Sequence, residues 1–285
     1  MKIGVIGVGK IGHGLVRQLL VAKHAVTIWN RSRDALEALV AEGARAADDV
    51  SDALQGEVAL SLLFDEVAVQ SVLMSAEGLA KSRRGCIHVC MSTLSLPFAK
   101  KLKERHAELG LGYVGAPMLG RPEAAAAGRL IIMAGGDKEL LDLVEPCLAV
   151  TGTVWRVGDD PLHAQAAKLA ANSMIMSAIE AMAEATAMLE GFGADGSAFM
   201  NVMTNTLFSA FIYKMYGPLV LGATPEKPAG LTLVQKDNAS FREAAQAVGI
   251  GTPLADAVGA NMAKAIKMGR SHEDWSTAIA AVVRS

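Results

Sequence analysis

The chain opens with MKIGVIGVGKIG (residues 1–12), and the fold turns on how this stretch is read. An apolar run from Lys2 to Gly7 is followed at once by Gly7, Gly9 and Gly12 in the spacing G-x-G-x-x-G, after which Ile11, Leu15 and Leu19 recur every four residues. That order predicts a strand, a tight turn and a helix. Gly7 permits the turn, Gly9 lets a pyrophosphate approach the backbone, and Gly12 allows the helix to pack closely on the strand. The helix N-terminus adds free N–H groups and a partial positive charge for the anion. A glycine pattern alone is weak, but between a strand and a helix it reads as a dinucleotide site formed by Gly7, Val8, Gly9, Lys10, Ile11 and Gly12.

Working outward, short apolar runs alternate with helical periods up to about residue 158, as a parallel α/β sheet requires. The expected strands are Lys2 to Gly7, Ala25 to Trp29, Val58 to Leu63, Cys86 to Met91, Tyr113 to Ala116, Leu130 to Ala134 and Val154 to Val157. Ser95 with Pro97, and Asp160 with Pro161, read as helix caps followed by early prolines. After Asp160 the pattern is helical without strands, and the first helix is expected to run to Glu190, where Gly191 and Gly193 stop it. Its thirty or so residues span about 45 Å. Ile175, Ile179, Met182 and Leu189 predict a helix buried on several sides, with its methionines in plain core packing. The stretch from Gly217 to Gly230, with three Pro and three Gly, reads as a loop, and helices resume near Leu231. The fold expected is α/β: a Rossmann-type doubly wound sheet over residues 1–160, then an all-α domain over 161–285, joined by a long interdomain helix.

Length and charge agree with that plan. At 285 residues the chain has room for about two domains. Its 27 Lys and Arg against 29 Asp and Glu leave no broad basic face for nucleic acid. The basic run from Lys100 to Arg105 is diluted by Glu104 and Glu108 and reads as a solvated helix face. Lys168, Asn172, Glu180 and Glu184 interrupt the most apolar long stretch, so no membrane span is expected, and the first residues lack a signal-peptide cleavage site. A cytoplasmic protein is the expectation. Cys86 and Cys90 lie about 13 Å apart on a strand, too far to bridge. Cys86, His88 and Cys90 alternate on one face with neighbours about 6.6 Å apart, which suits buried packing better than a zinc site, so no metal is expected.

The end of the second strand bears on which nucleotide is bound. An NAD site usually places an acid there for the ribose hydroxyls, whereas this chain has Asn30, Arg31 and Ser32, 18 to 20 residues beyond Gly12. No carboxylate opposes a 2′-phosphate, Arg31 can pair with it, and Ser32 can donate to it or cap the next helix. NADP(H) is expected in preference to NAD(H).

With Leu63-Phe64-Asp65, Met91-Ser92-Thr93, Gly115-Ala116-Pro117, Lys168 with Asn172, Lys236-Asp237 and His272-Glu273-Asp274-Trp275, the sequence resembles the β-hydroxyacid dehydrogenase family over nearly its whole length. On the residues alone, Lys168 and Asn172 share one helical face amid Ala167, Leu169, Ala170 and Ala171, and the lysine is either desolvated and able to exchange a proton or snorkelling to solvent. The resemblance implies that Lys168 is the general acid/base and that Asn172 orients the substrate. It further implies that Lys236 faces substrate or nicotinamide with Asp237 holding the local geometry, although a surface ion pair is the alternative. Leu63, Phe64, Asp65 and Thr93 are assigned to the cofactor wall, Thr93 near the nicotinamide.

Several positions depart from the family. Where many relatives carry Ser-Gly-Gly to grip a carboxylate, this chain has Leu119, Gly120 and Arg121, so the hydroxyl donor is missing and Arg121 either clamps the acid group or points to solvent. Leu162 and Ala164 replace glycines common before the lysine, and the aromatic expected before Lys236 appears as Ala229 or Gly230. The expected function is an NADPH-dependent reductase of a small aldehyde or keto acid, reversible as a hydroxyacid dehydrogenase. Imine reduction is the alternative enzyme, which the retained Lys168 disfavours, and a non-catalytic NADP-binding scaffold is the second alternative. A homodimer or homotetramer joined through the helical domains, with a small-molecule substrate as the other partner, is implied by the resemblance.

Overall fold

The computed structural model describes residues 1–225 and 229–285, in two compact units, residues 1–168 and 169–285. The first is built on one sheet. Its strands are β1 (Lys2–Ile6), β2 (Ala25–Trp29), β3 (Arg45–Ala46), β4 (Val58–Ser61), β5 (Ile87–Cys90), β6 (Gly112–Gly115), β7 (Met118–Leu119), β8 (Leu130–Gly135) and β9 (Gly152–Gly158). They run in the order β3-β2-β1-β4-β5-β6-β8-β7, with β9 parallel to β8. The strands from β3 to β6 are parallel, so their carboxyl ends share one edge, and the order reverses between β1 and β4.

All seven expected strands are present, shortened or extended by a residue or two. Two were not expected. The sequences of β3 and β7 are two residues long, too short for any alternation to register. The sheet is also not wholly parallel, because β8 runs antiparallel to β6 and β7.

Helices fill both faces. In the sheet unit these are α1 (Lys10–Val21), α2 (Glu37–Ala41), α3 (Val50–Ala53), α4 (Glu66–Val72), α5 (Leu96–Leu109), α6 (Pro122–Ala126) and α7 (Lys138–Ala149). Apolar residues pack on one face around Val5, Leu15, Leu19, Ile28 and Val89 and on the other around Ile6, Leu54, Leu73, Leu94 and Leu102. Ser95 caps α5 through the Phe98 N–H, as its spacing with Pro97 predicts.

The long helix α8 (Pro161–Gly191) starts after Asp160, whose carboxylate accepts from the Leu162 N–H. The two compact units divide within α8, after Lys168. Its first turns pack on the sheet unit, since a Cβ on Gly115 would meet the Pro161 carbonyl at 2.5 Å and one on Gly135 would meet Ala164. The helical unit comprises the rest of α8 with α9 (Gly196–Asn205), α10 (Phe211–Val220), α11 (Leu231–Ala247), α12 (Pro253–Lys267) and α13 (Trp275–Val283). Met176, Ile179, Met182, Met262, Trp275 and Ile279 form its core. Met174 and Met188 are exposed, so the methionines of α8 do not all serve the core. The loop expected from Gly217 to Gly230 is shorter, because Gly217 to Val220 complete α10, and Glu226, Lys227 and Pro228 lie outside the described residues. Among the described residues, no helix is long and apolar enough to cross a membrane.

Behind β4 and β5 lies a buried polar chain. His106 Nδ1 is 2.7 Å from the Leu102 carbonyl, which can only accept, so Nδ1 carries the proton and Nε2 accepts from His88 Nδ1 at 2.9 Å. His88 Nε2 then accepts from the Ser61 hydroxyl at 2.8 Å. Both rings stack with Tyr113. Burial holds His88 neutral, well below its ordinary value, with His106 adding to the effect; it pushes His106 down to about 4 against the opposing bond to Leu102. Cys86 and Cys90 are free and buried beside this chain. Among the described residues, no group of three or more His, Cys, Asp or Glu is arranged to hold a metal.

The unfolded chain takes up protons on both imidazoles below about pH 6.5, whereas in the folded chain His106 does so only near about 4 and His88 is held neutral well below its ordinary value, so their contribution is present above pH 6.5 and is lost as the pH falls from there. Each costs about 1.4 kcal/mol per pH unit. Thermal melts between pH 6.5 and 5 are expected to show a falling Tm, with a clearly shallower slope in His106→Phe, which keeps the stacking on Tyr113. The same slope in both proteins would contradict this account.

Candidate active site

At the carboxyl end of β1 the chain turns through Gly7 at φ +91°, and a Cβ there would lie 2.6 Å from the Leu62 carbonyl oxygen. A Cβ on Gly12 would come 2.8 Å from the Gly7 oxygen, so α1 reaches this position only without one. Gly9, the N-cap of α1, faces open space and makes no side-chain cap bond. Val8 is buried, whereas Lys10 is exposed and Ile11 half-buried. The opening N–H groups of α1 therefore face room for an anion, and the residues present fit the pyrophosphate of a dinucleotide.

Asn30, just past β2, holds this loop in place. Its Oδ1 accepts from the Val8 N–H at 3.1 Å and its Nδ2 donates to the Ser32 carbonyl at 3.0 Å, which ties the glycine turn to the segment carrying Arg31. Arg31 and Ser32 are exposed at that edge. Ser32 does not cap the next element: the 3₁₀ turn Asp34–Leu36 follows Arg33 and has no side-chain cap. Arg33 pairs with Asp48.

Beyond β4, Phe64 stands 70% exposed and the half-buried Leu63 donates its N–H to Ser92 Oγ at 3.0 Å. Asp65 is the N-cap of α4. Its carboxylate turns back to accept from the Ala68 N–H at 2.8 Å and caps α4, because an aspartate at that position satisfies a helix N–H locally. Thr93 follows β5 in the turn after Ser92 and is half-buried.

Leu119 ends β7, Gly120 takes φ +143°, and Arg121 precedes Pro122, the first residue of α6. Leu130 Cδ2 would sit 2.8 Å from a Cβ on Gly120, so the turn is closed against β8. α6 in turn rests on α1, where a Cβ on Gly14 would lie 2.5 Å from the Ala126 nitrogen and where Gln18 Nε2 donates to the Ala126 carbonyl at 2.6 Å.

Lys168, in the third turn of α8, is only 8% exposed, so the choice between a desolvated lysine and one reaching into solvent falls to the desolvated one. In the helical unit, Asn172 Nδ2 donates to Asp237 Oδ2 at 2.8 Å, and Lys236 Nζ lies 3.6 Å from Asp237 Oδ1. Lys236 and Asp237 sit in the second turn of α11, which starts at Leu231. Asp274 caps α13 through Ser276 and accepts from the Ala229 N–H at 2.9 Å, which makes the His272 to Trp275 segment a structural clasp. The residue that sequence reading missed is Gln165, wholly buried and bonded to both Ser92 and Leu94. Its signal was its place three residues before Lys168, on the same helical face.

Comparison with known proteins agrees with this fold. Residues 2–158 match the family described as the NAD binding domain of 6-phosphogluconate dehydrogenase, and residues 163–282 match that described as NAD-binding of NADP-dependent 3-hydroxyisobutyrate dehydrogenase. The chain belongs to the β-hydroxyacid dehydrogenase family. An uncharacterized oxidoreductase of Bacillus subtilis, YfjR, is 34% identical over 98% of this chain and 99% of its own. The NAD-dependent L-serine dehydrogenase of Pseudomonas aeruginosa is 29% identical over 96% of this chain and 95% of its own. The crystal structure of 3-hydroxyisobutyrate dehydrogenase from Salmonella typhimurium has the same fold, with a TM-score of 0.87 at 24% identity, covering 99% of both chains. This member of the family is thus an NAD(P)-dependent oxidoreductase acting on a CH–OH or carbonyl substrate.

Asn30 touches both the glycine loop and the segment after β2, so Asn30→Ala is expected to weaken NADPH and NADH alike, by roughly tenfold for two lost bonds of about 1 kcal/mol or less each. Fluorescence titration with both cofactors checks this. A loss confined to one of them would give Asn30 a different role.

Proposed function

We propose that this enzyme is an NADPH-dependent reductase of small aldehydes or keto acids, running in reverse as a β-hydroxyacid dehydrogenase. The observation that carries this reading is the burial of Lys168 on α8, one turn before Asn172. A buried amine beside a carbonyl can give its oxygen a proton and take one back from an alcohol. Bound NADPH supplies the hydride. Lys168 supplies the proton, and Asn172 orients the carbonyl, its amide held by the bond to Asp237.

The remaining residues bind and position. Gly7 to Gly12 take the pyrophosphate, and Arg31 with Ser32 takes the 2′-phosphate in the absence of a carboxylate at the end of β2. Leu63, Phe64, Asp65 and Thr93 line the cofactor. Gly120, Arg121 and Lys236 receive the acid group of the substrate, with Leu119 making that pocket more apolar. Residues 1–160 serve as the cofactor domain and 161–285 as the domain for substrate and oligomerisation. Exposed Met188, Phe192, Leu207 and Phe211 on the helical unit support a homodimer or homotetramer. The buried free cysteines suit a cytoplasmic protein.

NADPH consumption measured with a panel of semialdehydes, keto acids and cyclic imines is expected to favour the first two classes. Lys168→Ala should lower kcat with the best substrate by about 10²- to 10⁴-fold while leaving NADPH binding in place; unchanged turnover would remove Lys168 as proton donor. Arg31→Ala should weaken NADPH and spare NADH, and equal losses would refute the assignment of the 2′-phosphate to Arg31. Sedimentation should show a dimer or tetramer, and a monomer at micromolar concentration would contradict the assembly.

A further inference from the structure

Gln165 lies in the second turn of α8 and is wholly buried. Its Nε2 donates to the Ser92 carbonyl at 2.9 Å, and its Oε1 accepts from the Leu94 N–H at 3.0 Å. These two backbone groups flank Thr93. One side-chain amide therefore meets the turn as a neighbouring strand would, at a place where the sheet has ended: β5 closes at Cys90, and its last link to β4 is the bond from the Met91 N–H to the Ser61 carbonyl. Ser92 is held from the other side, its Oγ accepting from the Leu63 N–H. Three residues further along α8, and hence on the same face, stands Lys168.

We infer that Gln165 is a positioning residue of the reaction: through its two bonds it fixes the turn that carries Thr93 relative to the helical face that carries Lys168. The inference rests on the proposed roles of those two residues. Gln165 touches the backbone on either side of Thr93 and no reacting atom needs to touch Gln165. Proton transfer and hydride transfer must occur on one carbonyl, so the spacing of the groups beside it enters the barrier directly, and misplacement by about 1 Å costs up to about a hundredfold. A rigid amide with one donor and one acceptor suits two backbone groups of opposite polarity. Leucine offers neither, and an ionised glutamate offers only the acceptor.

Three variants test this. Hydrogen exchange on the protein without cofactor should show the Leu94 amide losing protection in Gln165→Leu. The same variant should bind NADPH within about twofold of wild type, since its bonds do not touch the glycine loop, while kcat falls roughly tenfold or more and the primary isotope effect from deuterated NADPH rises. In Gln165→Glu, turnover relative to wild type should recover as the pH is lowered from about 8 to about 6, because the protonated carboxyl regains a donor for Ser92. This variant carries the test if Gln165→Leu fails to fold. Faster exchange at Leu94 with undiminished kcat in Gln165→Leu, or a pH-independent ratio in Gln165→Glu, would reduce Gln165 to a structural residue. Lys168→Ala, assayed alongside, separates the two readings: if it is inactive while Gln165→Leu is fully active, only the positioning role fails, and if it is fully active the proton-donor reading fails and this inference with it.

Discussion

Every arrangement described for the sheet unit follows from the parallel run of β3, β2, β1, β4, β5 and β6. Parallel strands share one carboxyl edge, and at that edge the backbone leaves the ladder and must find other partners. Gly7 turns there under α1, Asn30 leaves β2 there, and Leu63 and Thr93 leave β4 and β5 there. The strand order reverses between β1 and β4, the kind of place where an open α/β sheet offers a crevice to a ligand. A single register slip in β1 would move the glycine turn out of that edge and remove the anion site with it.

What keeps the edge in order is a set of polar side chains bonded to backbone. Asn30 joins the glycine turn to the segment after β2, Ser92 joins the ends of β4 and β5, and Gln165 joins the turn after β5 to α8. Each satisfies N–H or C=O groups that the sheet no longer pairs, and buried groups of that kind would otherwise cost about 1–3 kcal/mol each. The helical unit repeats the device side chain to side chain, with Asp237 holding Asn172. The same bonds that satisfy the backbone thus set distances between the groups that the chemistry would use.

Much of this was legible before any coordinates. The G-x-G-x-x-G spacing, the seven longer strands, the caps at Ser95 and Asp160 and the long helix to Gly191 all stand, because each is a local pattern with a local cause. The two-residue strands β3 and β7 carry no such pattern and form because neighbours already in place offer a free edge. Gly217 and Pro218 read as a loop from composition, yet they finish α10, where burial of Gly217 against Met200 outweighs propensity. Asp65 stands in a family motif and also caps α4, a local role that the motif by itself does not reveal.

The sequence by itself determined the class of fold, the edge that carries the glycine turn and the residue types available there, since periodicity and glycine spacing act over a few residues. Tertiary structure alone decided that Lys168 is buried, that His88 and His106 share one proton-ordered chain, and that Gln165 reaches back across more than seventy residues to Ser92 and Leu94. Desolvation and buried hydrogen bonds depend on what other segments bring to a point in space, and no short stretch of sequence contains that information.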